Sequence, residues 1–388
     1  MKIRIMKTLQ ILTLLAALVS FGACKAETSK ELSINSRSET EPVVNKHYIK
    51  VALLLDTSNS MDGLIDQAKA QLWEIVNELS YAKCQGERPN LEIALYEYGN
   101  DNLSDEKGYV RKILAFTEDL DDISKELFSL TTNGGSEYCG TVIKTSLDQL
   151  DWGRDADDLK MIFIAGNEPF TQGKVNYKDA ITDAKEKGIV VNTIFCGDYN
   201  QGISSYWRDG AQLAYGDYMA INHNQQTVHI ASPYDDLILQ LNIKLNNTYV
   251  PYGNQGRNKV SVQMEQDANA ANYSKANAVS RTVTKGSHLY KNSTWDLVDA
   301  EDEEDFSYDK LEKDDLPDNL KGKSTAEIQK YVKEMRDERA RVQNEISELN
   351  KQRRDYISGK KKEESNGLEG VMIQALRKQA KKKNYSWN

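Results

Sequence analysis

Apolar positions along this chain are grouped in two different ways. From His47 to about Asn247 they form short, nearly unbroken runs of strand length, separated by stretches with helical spacing. The run from His47 to Asp56 is the first, and a run that scarcely alternates belongs to a strand covered on both faces, the state of an inner strand in a parallel sheet. Similar runs follow at Leu91 to Gly99, Leu159 to Gly166, Ile189 to Phe195 and Tyr218 to Ile221, with a short edge strand at Arg111 to Thr117. Helical patterns lie between them, at Gly63 to Leu79, Asp122 to Leu130, Thr141 to Leu150, Lys178 to Lys187 and Ser205 to Ala214. A last helix opens at Ser232-Pro233, where proline suits the first turn, and runs to about Asn247. Strands alternating with helices predict an α/β fold over 47–250, a doubly wound, mostly parallel six-stranded sheet.

The pattern changes after Pro251. Residues 257 to 295 are polar, and 296 to 318 hold twelve carboxylates without the spaced glycine-bearing loop of a calcium site. Residues 251–323 therefore read as an acidic, largely irregular and exposed connector. In 324–388, Ser324 and Glu327 form a capping box. Ile328, Val332, Met335, Arg339, Val342, Ile346, Leu349, Arg353 and Tyr356 then follow at steps of four and three. This period of 3.5 over four heptads predicts a long helix packed on another helix, as in a coiled coil. The partner is either the second amphipathic segment, Leu368 to Lys383, or a second copy of the chain, which would self-associate through these helices.

The amino-terminal end has a different character. Basic residues in Met1 to Lys7 precede an apolar run from about Thr8 to Ala23, too short for the ~20 residues of a comfortable membrane span. The run ends on small residues directly before Cys24. This resembles a bacterial lipoprotein signal over residues 1–23, which implies cleavage before Cys24 and acylation of both its thiol and its new amino group, a stable two-chain anchor. Residues 24–46 hold almost no large apolar side chain and read as a polar tether. The expected location is the cell envelope, with the membrane engaged through lipid.

Composition narrows the function. Lys and Arg number 50 against 59 Asp and Glu, a net charge of −9, so the basic footprint of a nucleic-acid binder is missing. Besides Cys24 there are Cys84, Cys139 and Cys196. Export would let a disulfide persist. Cys139 and Cys196 both fall near the expected carboxyl edge of the sheet and are the expected pair, with Cys84 at the other edge.

Chemistry concentrates at the end of the first strand, in Asp56-Thr57-Ser58-Asn59-Ser60. Ligands of doubly wound sheets sit beyond the carboxyl ends of the strands. An Asp-x-Ser-x-Ser sequence in that place resembles the metal-ion-dependent adhesion site of von Willebrand factor type A domains, and the order of elements from about 47 to 247 matches that fold. The resemblance implies a divalent ion, Mg²⁺ with Mn²⁺ or Ca²⁺ as alternatives, held by Asp56, Ser58 and Ser60. Mg²⁺ keeps several waters and takes oxygens from hydroxyls and carboxylates, leaving a position for an outside ligand. Two further loops depart from the family's pattern. The first, Thr131 to Cys139, has paired glycines but offers Ser136 followed by Glu137 where a threonine is commonest. In the second, Gly166 replaces the family's aspartate, so Glu168 or Glu137 must make up the missing carboxylate. The expected ligand set is Asp56, Ser58, Ser60, Ser136, Glu137 and Glu168.

Enzyme signatures are missing. The histidines at 47, 223, 229 and 288 lack zinc spacing, and there is no Gly-x-Ser-x-Gly elbow, P-loop or dinucleotide fingerprint. The sequence therefore reads as a non-enzymatic, lipid-anchored binding protein that engages a protein or glycan partner. The alternative is an assembly scaffold with a lapsed metal site, in which the C-terminal helices form the interface.

Overall fold

A computed structural model of the chain describes residues 47–225, 230–312, 314, 316–360 and 367–387. The predicted leader, Cys24, the tether and His229 lie outside the described residues.

The apolar runs become the strands of one sheet. In chain order the first half contains β1 (Tyr48–Asp56), α1 (Asp62–Leu79), β2 (Ala82–Cys84), β3 (Asn90–Tyr98), β4 (Val110–Thr117), α2 (Leu120–Ser129), α3 (Cys139–Gln149) and β5 (Leu159–Gly166). Then come α4 (Tyr177–Glu186), β6 (Val190–Cys196), α5 (Tyr199–Ser204), α6 (Trp207–Leu213), β7 (Tyr218–Ile221) and α7 (Asp235–Asn246). The six-stranded sheet has the order β4-β3-β1-β5-β6-β7, parallel throughout except for the antiparallel edge strand β4. Successive side chains point to opposite faces. On one face Val51, Leu55, Met161 and Phe163 pack with Leu64, Leu72 and Trp73 of α1 and with α2. On the other, Leu54, Ile162 and Ile164 pack with Val142, Ile143, Ile181 and Trp207 of α3, α4 and α6. The central strand thus has no solvated face, which is why its run is almost purely apolar.

Residues 251–323 are not an irregular connector. They form α8 (Gly256–Tyr273), α9 (Lys275–Lys285) and the short α10 (Leu297–Ala300). Helix α9 lies against α1 through a polar, buried seam. Asn277 donates to the carbonyl of Ala70 at 2.8 Å, Asn77 donates to that of Ser280 at 2.9 Å, and Thr284 donates to Asn77 at 2.7 Å. Arg281 is buried among Asp121 of α2 (2.8 Å), Asp267 of α8 (2.6 Å) and the face of Trp73. The acidic stretch is likewise partly turned inward: Asp296 is fully buried.

The long helix exists as expected, α11 (Thr325–Ser358), with its capping box intact. Its partner differs from both expected ones. Val342 and Ile346 pack with Ile238 and Leu245 of α7 and Val279 of α9, while Ile328 and Val332 pack with Leu297 and Val298 of α10. The two arginines in the seam each meet buried aspartates. Arg339 donates to Asp296 at 2.7 Å and Asp299 at 2.9 Å, and Arg353 donates to Asp235 at 3.1 Å. A seam satisfied inside the chain is not available for self-association, which corrects the coiled-coil expectation. The second helix, α12 (Leu368–Lys381), covers α1 instead, inserting Leu368, Met372, Ala375 and Leu376 into the core of that sheet face. The strand β8 (Tyr385–Trp387) then pairs antiparallel with β2.

Cys84, Cys139 and Cys196 are all buried free thiols, so the expected Cys139 to Cys196 bridge is corrected too. Cys196 belongs to the core on the α1 face, and Cys139, the first residue of α3, to the core on the opposite face. Both sit near the same edge, but the sheet separates them.

Candidate metal centre

Strand β1 ends at Asp56, and the chain turns at once into a short 3-10 turn, Asn59–Met61, which leads into α1. Asp56 is fully buried, and one carboxylate oxygen, Oδ1, accepts the backbone N–H of Ser58 at 2.8 Å. That bond folds the loop back so that the Ser58 and Ser60 hydroxyls lie 3.3 Å apart. Ser60 is exposed and also accepts from the Asn167 amide at 3.1 Å.

The 131–138 loop is fastened over this turn by backbone and side-chain hydrogen bonds. Asn133 donates to the carbonyl of Thr57 at 3.0 Å, Asn100 donates to the carbonyls of Thr57 and Thr131, and Thr132 bonds Asp62. The loop presses so closely on Gly99 that a Cβ there would stand 2.7 Å from Glu137 Cγ and 2.9 Å from Asp56 Oδ1. Gly99 has φ +78°, the left-handed conformation that favours glycine. The result is that Glu137, one residue beyond the expected serine, turns its buried carboxyl toward Asp56 and Ser58. Ser136 stays half-buried and makes no hydrogen bond to Asp56, Ser58 or Ser60 among the described residues. Glu168 is exposed at the rim, where Gln172 donates to it at 3.3 Å. The same Gln172 accepts the backbone N–H of Glu137 at 3.0 Å, tying the two loops together.

Gly166 has a steric cause. A Cβ on it would lie 2.5 Å from the hydroxyl of Tyr98 and 3.0 Å from Asp56 Oδ2. Side-chain space at residue 166 is filled here by Tyr98, which reaches across β1 from β3. Of the two acids that the sequence offers to make up the missing carboxylate, Glu137 is the one buried beside Asp56, while Glu168 stays at the rim.

Two buried carboxyl groups facing each other form an unstable arrangement by themselves. Burial pushes the Glu137 carboxyl well above the usual carboxylate range, and the adjacent Asp56 charge pushes it further. Burial raises Asp56 as well, partly opposed by hydrogen bonds from Glu137 and Ser58. Asp56 Oδ2 and Glu137 Oε2 have no donor among the described residues, so the two acceptors can meet only through a shared proton or a cation. Two carboxylates and two hydroxyls in a concave turn suit a hard divalent ion. No group of three or more His, Cys, Asp or Glu converges tightly enough to hold one unaided among the described residues, so the hydroxyls of Ser58 and Ser60 would be needed.

Residues 50–203 match the von Willebrand factor type A domain family. No curated protein matches the chain. The fold is similar to that of a conserved hypothetical protein BatB from Bacteroides thetaiotaomicron, at 17% identity, a TM-score of 0.34, and 45% of this chain against 90% of that one. It is also similar to the SpRpn10 VWA domain, at 14% identity, a TM-score of 0.34, and 46% against 90%. An aerotolerance-related membrane protein from Bacteroides fragilis NCTC 9343 is similar at 16% identity, a TM-score of 0.32, and 45% against 93%. The six-stranded sheet, the Asp56 turn at its carboxyl edge and the matched residues lead to one assignment: residues 50–203 of this chain are a von Willebrand factor type A domain.

Proposed function

We propose that this protein is a non-enzymatic binding module, held at the cell envelope by lipid on Cys24, which engages a protein or glycan partner through a divalent ion at the carboxyl edge of its sheet. The observation that carries the reading is the buried pair Asp56 and Glu137, each with an unpaired oxygen, beside the Ser58 and Ser60 hydroxyls. Asp56, Glu137, Ser58 and Ser60 would hold the ion, with Glu168 at the rim. Mg²⁺ fits this donor set best, with Mn²⁺ and Ca²⁺ as alternatives. The bound ion supplies an open coordination position for a partner's oxygen. Two carboxylates balance its charge, so that position favours a neutral oxygen, a sugar hydroxyl or a backbone carbonyl, over the acidic side chain implied by the family resemblance.

The protein is melted in chelator and in several millimolar Mg²⁺ or Mn²⁺, as parent and as Asp56→Ala. An ion held a hundredfold above its Kd stabilises the folded state by about 2.7 kcal/mol. The parent should gain several degrees and the variant none. If neither responds while both stay folded, the site is a relic and the scaffold reading replaces this one. The anchor is tested separately: Cys24→Ala should leave the membrane fraction.

A further inference from the structure

The end of α1, the last turn of α11 and the C-terminal half of α12 enclose a cleft of about 360 Å³, lined by Glu78, Tyr81, Arg354, Arg377, Lys381 and Trp387. It lies far from the metal edge, because α1 starts at Asp62 beside the metal turn and its 18 residues span about 27 Å. It adjoins the opposite edge, where Tyr385 donates to the backbone oxygen of Tyr48 at the start of β1.

Three cations from two helices face this cleft, and one carboxylate answers them. Arg377 donates to Glu78 at 2.8 Å, so the one carboxylate of the cleft is already paired with one of the three cations, and Trp387 donates to the backbone oxygen of Glu78 at 3.1 Å. Arg354 is stacked on the ring of Tyr81, its guanidinium carbon 4.3 Å from the centroid. Neither Arg354 nor Lys381 forms an ion pair among the described residues. The other lysine of α12, Lys378, does not line the cleft and is paired with Asp217. In a chain with a net charge of −9, carboxylates are plentiful, yet among the described residues Glu78 is the only one that lines this cleft. Like charges held together without a counterion repel, and an anion relieves the repulsion. The planar guanidinium fork matches two oxygens of a phosphate, an ammonium adds a point charge, and stacking on Tyr81 fixes the fork's orientation in advance. The aromatic walls of Tyr81 and Trp387 leave room for the organic part of a phosphate ester.

We propose that the cleft between α1, α11 and α12 is an anion site for a phosphate group, with Arg354, Arg377 and Lys381 as its ligands. The proposal is independent of the metal site. The phosphate comes either from a soluble phosphate-bearing molecule or from an anionic lipid headgroup.

The test uses the full chain carrying Cys24→Ala, so that no acyl group confounds the vesicle measurement. Inorganic phosphate is titrated by calorimetry, and co-sedimentation is measured with phosphatidylglycerol vesicles and with neutral phosphatidylcholine vesicles. Arg354→Glu and Lys381→Glu alter exposed side chains and should leave the melting temperature unchanged. Each is expected to weaken binding at least about tenfold, the loss of one charge-assisted contact. Saturable binding of either probe that drops in these variants supports the site. Calorimetric binding of phosphate assigns a soluble source, and binding to phosphatidylglycerol vesicles alone assigns the lipid. Failure of both probes, or binding that both variants leave unchanged, overturns the proposal.

Discussion

Tyr98 reaches from β3 across β1 and donates its hydroxyl to the backbone oxygen of Ala165 at 2.9 Å, which closes the space above Gly166. Tyr98 is fully buried, so this hydroxyl has no alternative position in solvent. The pair explains how the site can lose an aspartate and keep two carboxylates: the side chain is excluded at residue 166 and supplied at residue 137.

Restoring the family residue should therefore harm the protein. Gly166→Asp forces a Cβ against Tyr98 and adds a third acid beside Asp56 and Glu137, at a cost of about 3 kcal/mol. Tyr98→Phe alone gives up one buried hydrogen bond, about 1 kcal/mol. In the double variant the clash with the Tyr98 hydroxyl is gone and only the approach to Asp56 remains, so its loss should be smaller than the sum by about 1 kcal/mol or more. Denaturant melts of the four proteins measure this coupling, and strict additivity would show that Tyr98 does not govern residue 166.

His288 gives the stability a pH dependence in mildly acidic solution. Burial pushes its imidazole down to about 4, aided by the Arg88 and Lys291 charges, and the neutral ring sits 3.3 Å from the carbonyl of Pro89. An unfolded chain takes up a proton on this residue below about 6.5, while the folded chain does so only near 4. Between those values the unfolded state holds more protons, so stability falls as the pH is lowered through this window. The difference in stability between pH 7 and pH 5 should shrink in His288→Gln. An unchanged difference, or an NMR titration of His288 near its usual value, would count against this assignment.

Arg281 joins the sheet domain to the helices that follow it. It lies between Asp121 and Asp267, both largely buried, and donates as well to the carbonyl of Gln263 at 3.0 Å. The Arg281 and Lys285 charges hold Asp267 well below the usual carboxylate range despite its burial. Arg281→Ala leaves two aspartates without this partner and should cost about 3 to 5 kcal/mol. The unfolding curve should remain a single transition, because α9 and α12 both pack on α1. A loss under about 1 kcal/mol, or a second transition, would mean that the sheet and the helices are separate units.

The strands and the Asp56 turn were legible in the sequence because their physics is local. An inner strand covered on both faces needs an apolar run, and the turn after it needs short polar side chains. The helices over 256–285 were hidden for the opposite reason. Their buried side chains include Gln263, Gln266, Asn277, Ser280, Arg281, Thr284 and Lys285, whose partners include polar groups on other elements. Apolar periodicity cannot register an interface made of hydrogen bonds and ion pairs. The arginines in the α11 seam carried the same message, since each pairs with an aspartate far away in sequence. The two faces of β6 could not be told apart within a continuous apolar run, so Cys196 could not be assigned to its side of the sheet. That Glu137 or Glu168 would answer for Gly166 was legible, but the choice between them and the part of Tyr98, which fills the space at 166, were not, because they depend on contacts between strands that are distant in sequence.

Helix α12 and strand β8 complete a core that begins with β1: Leu368, Met372, Leu376 and Tyr385 lie in one cluster with Ile49, Leu72 and Ala82. The order of synthesis then runs against the order of assembly. A chain made as far as α11 has α9 against α1, yet the side of α1 that Leu368, Met372 and Leu376 cover still lacks its apolar partner. The first strand and the last helix thus share one core, so the sheet face that opens the fold is closed only by residues more than 300 positions later.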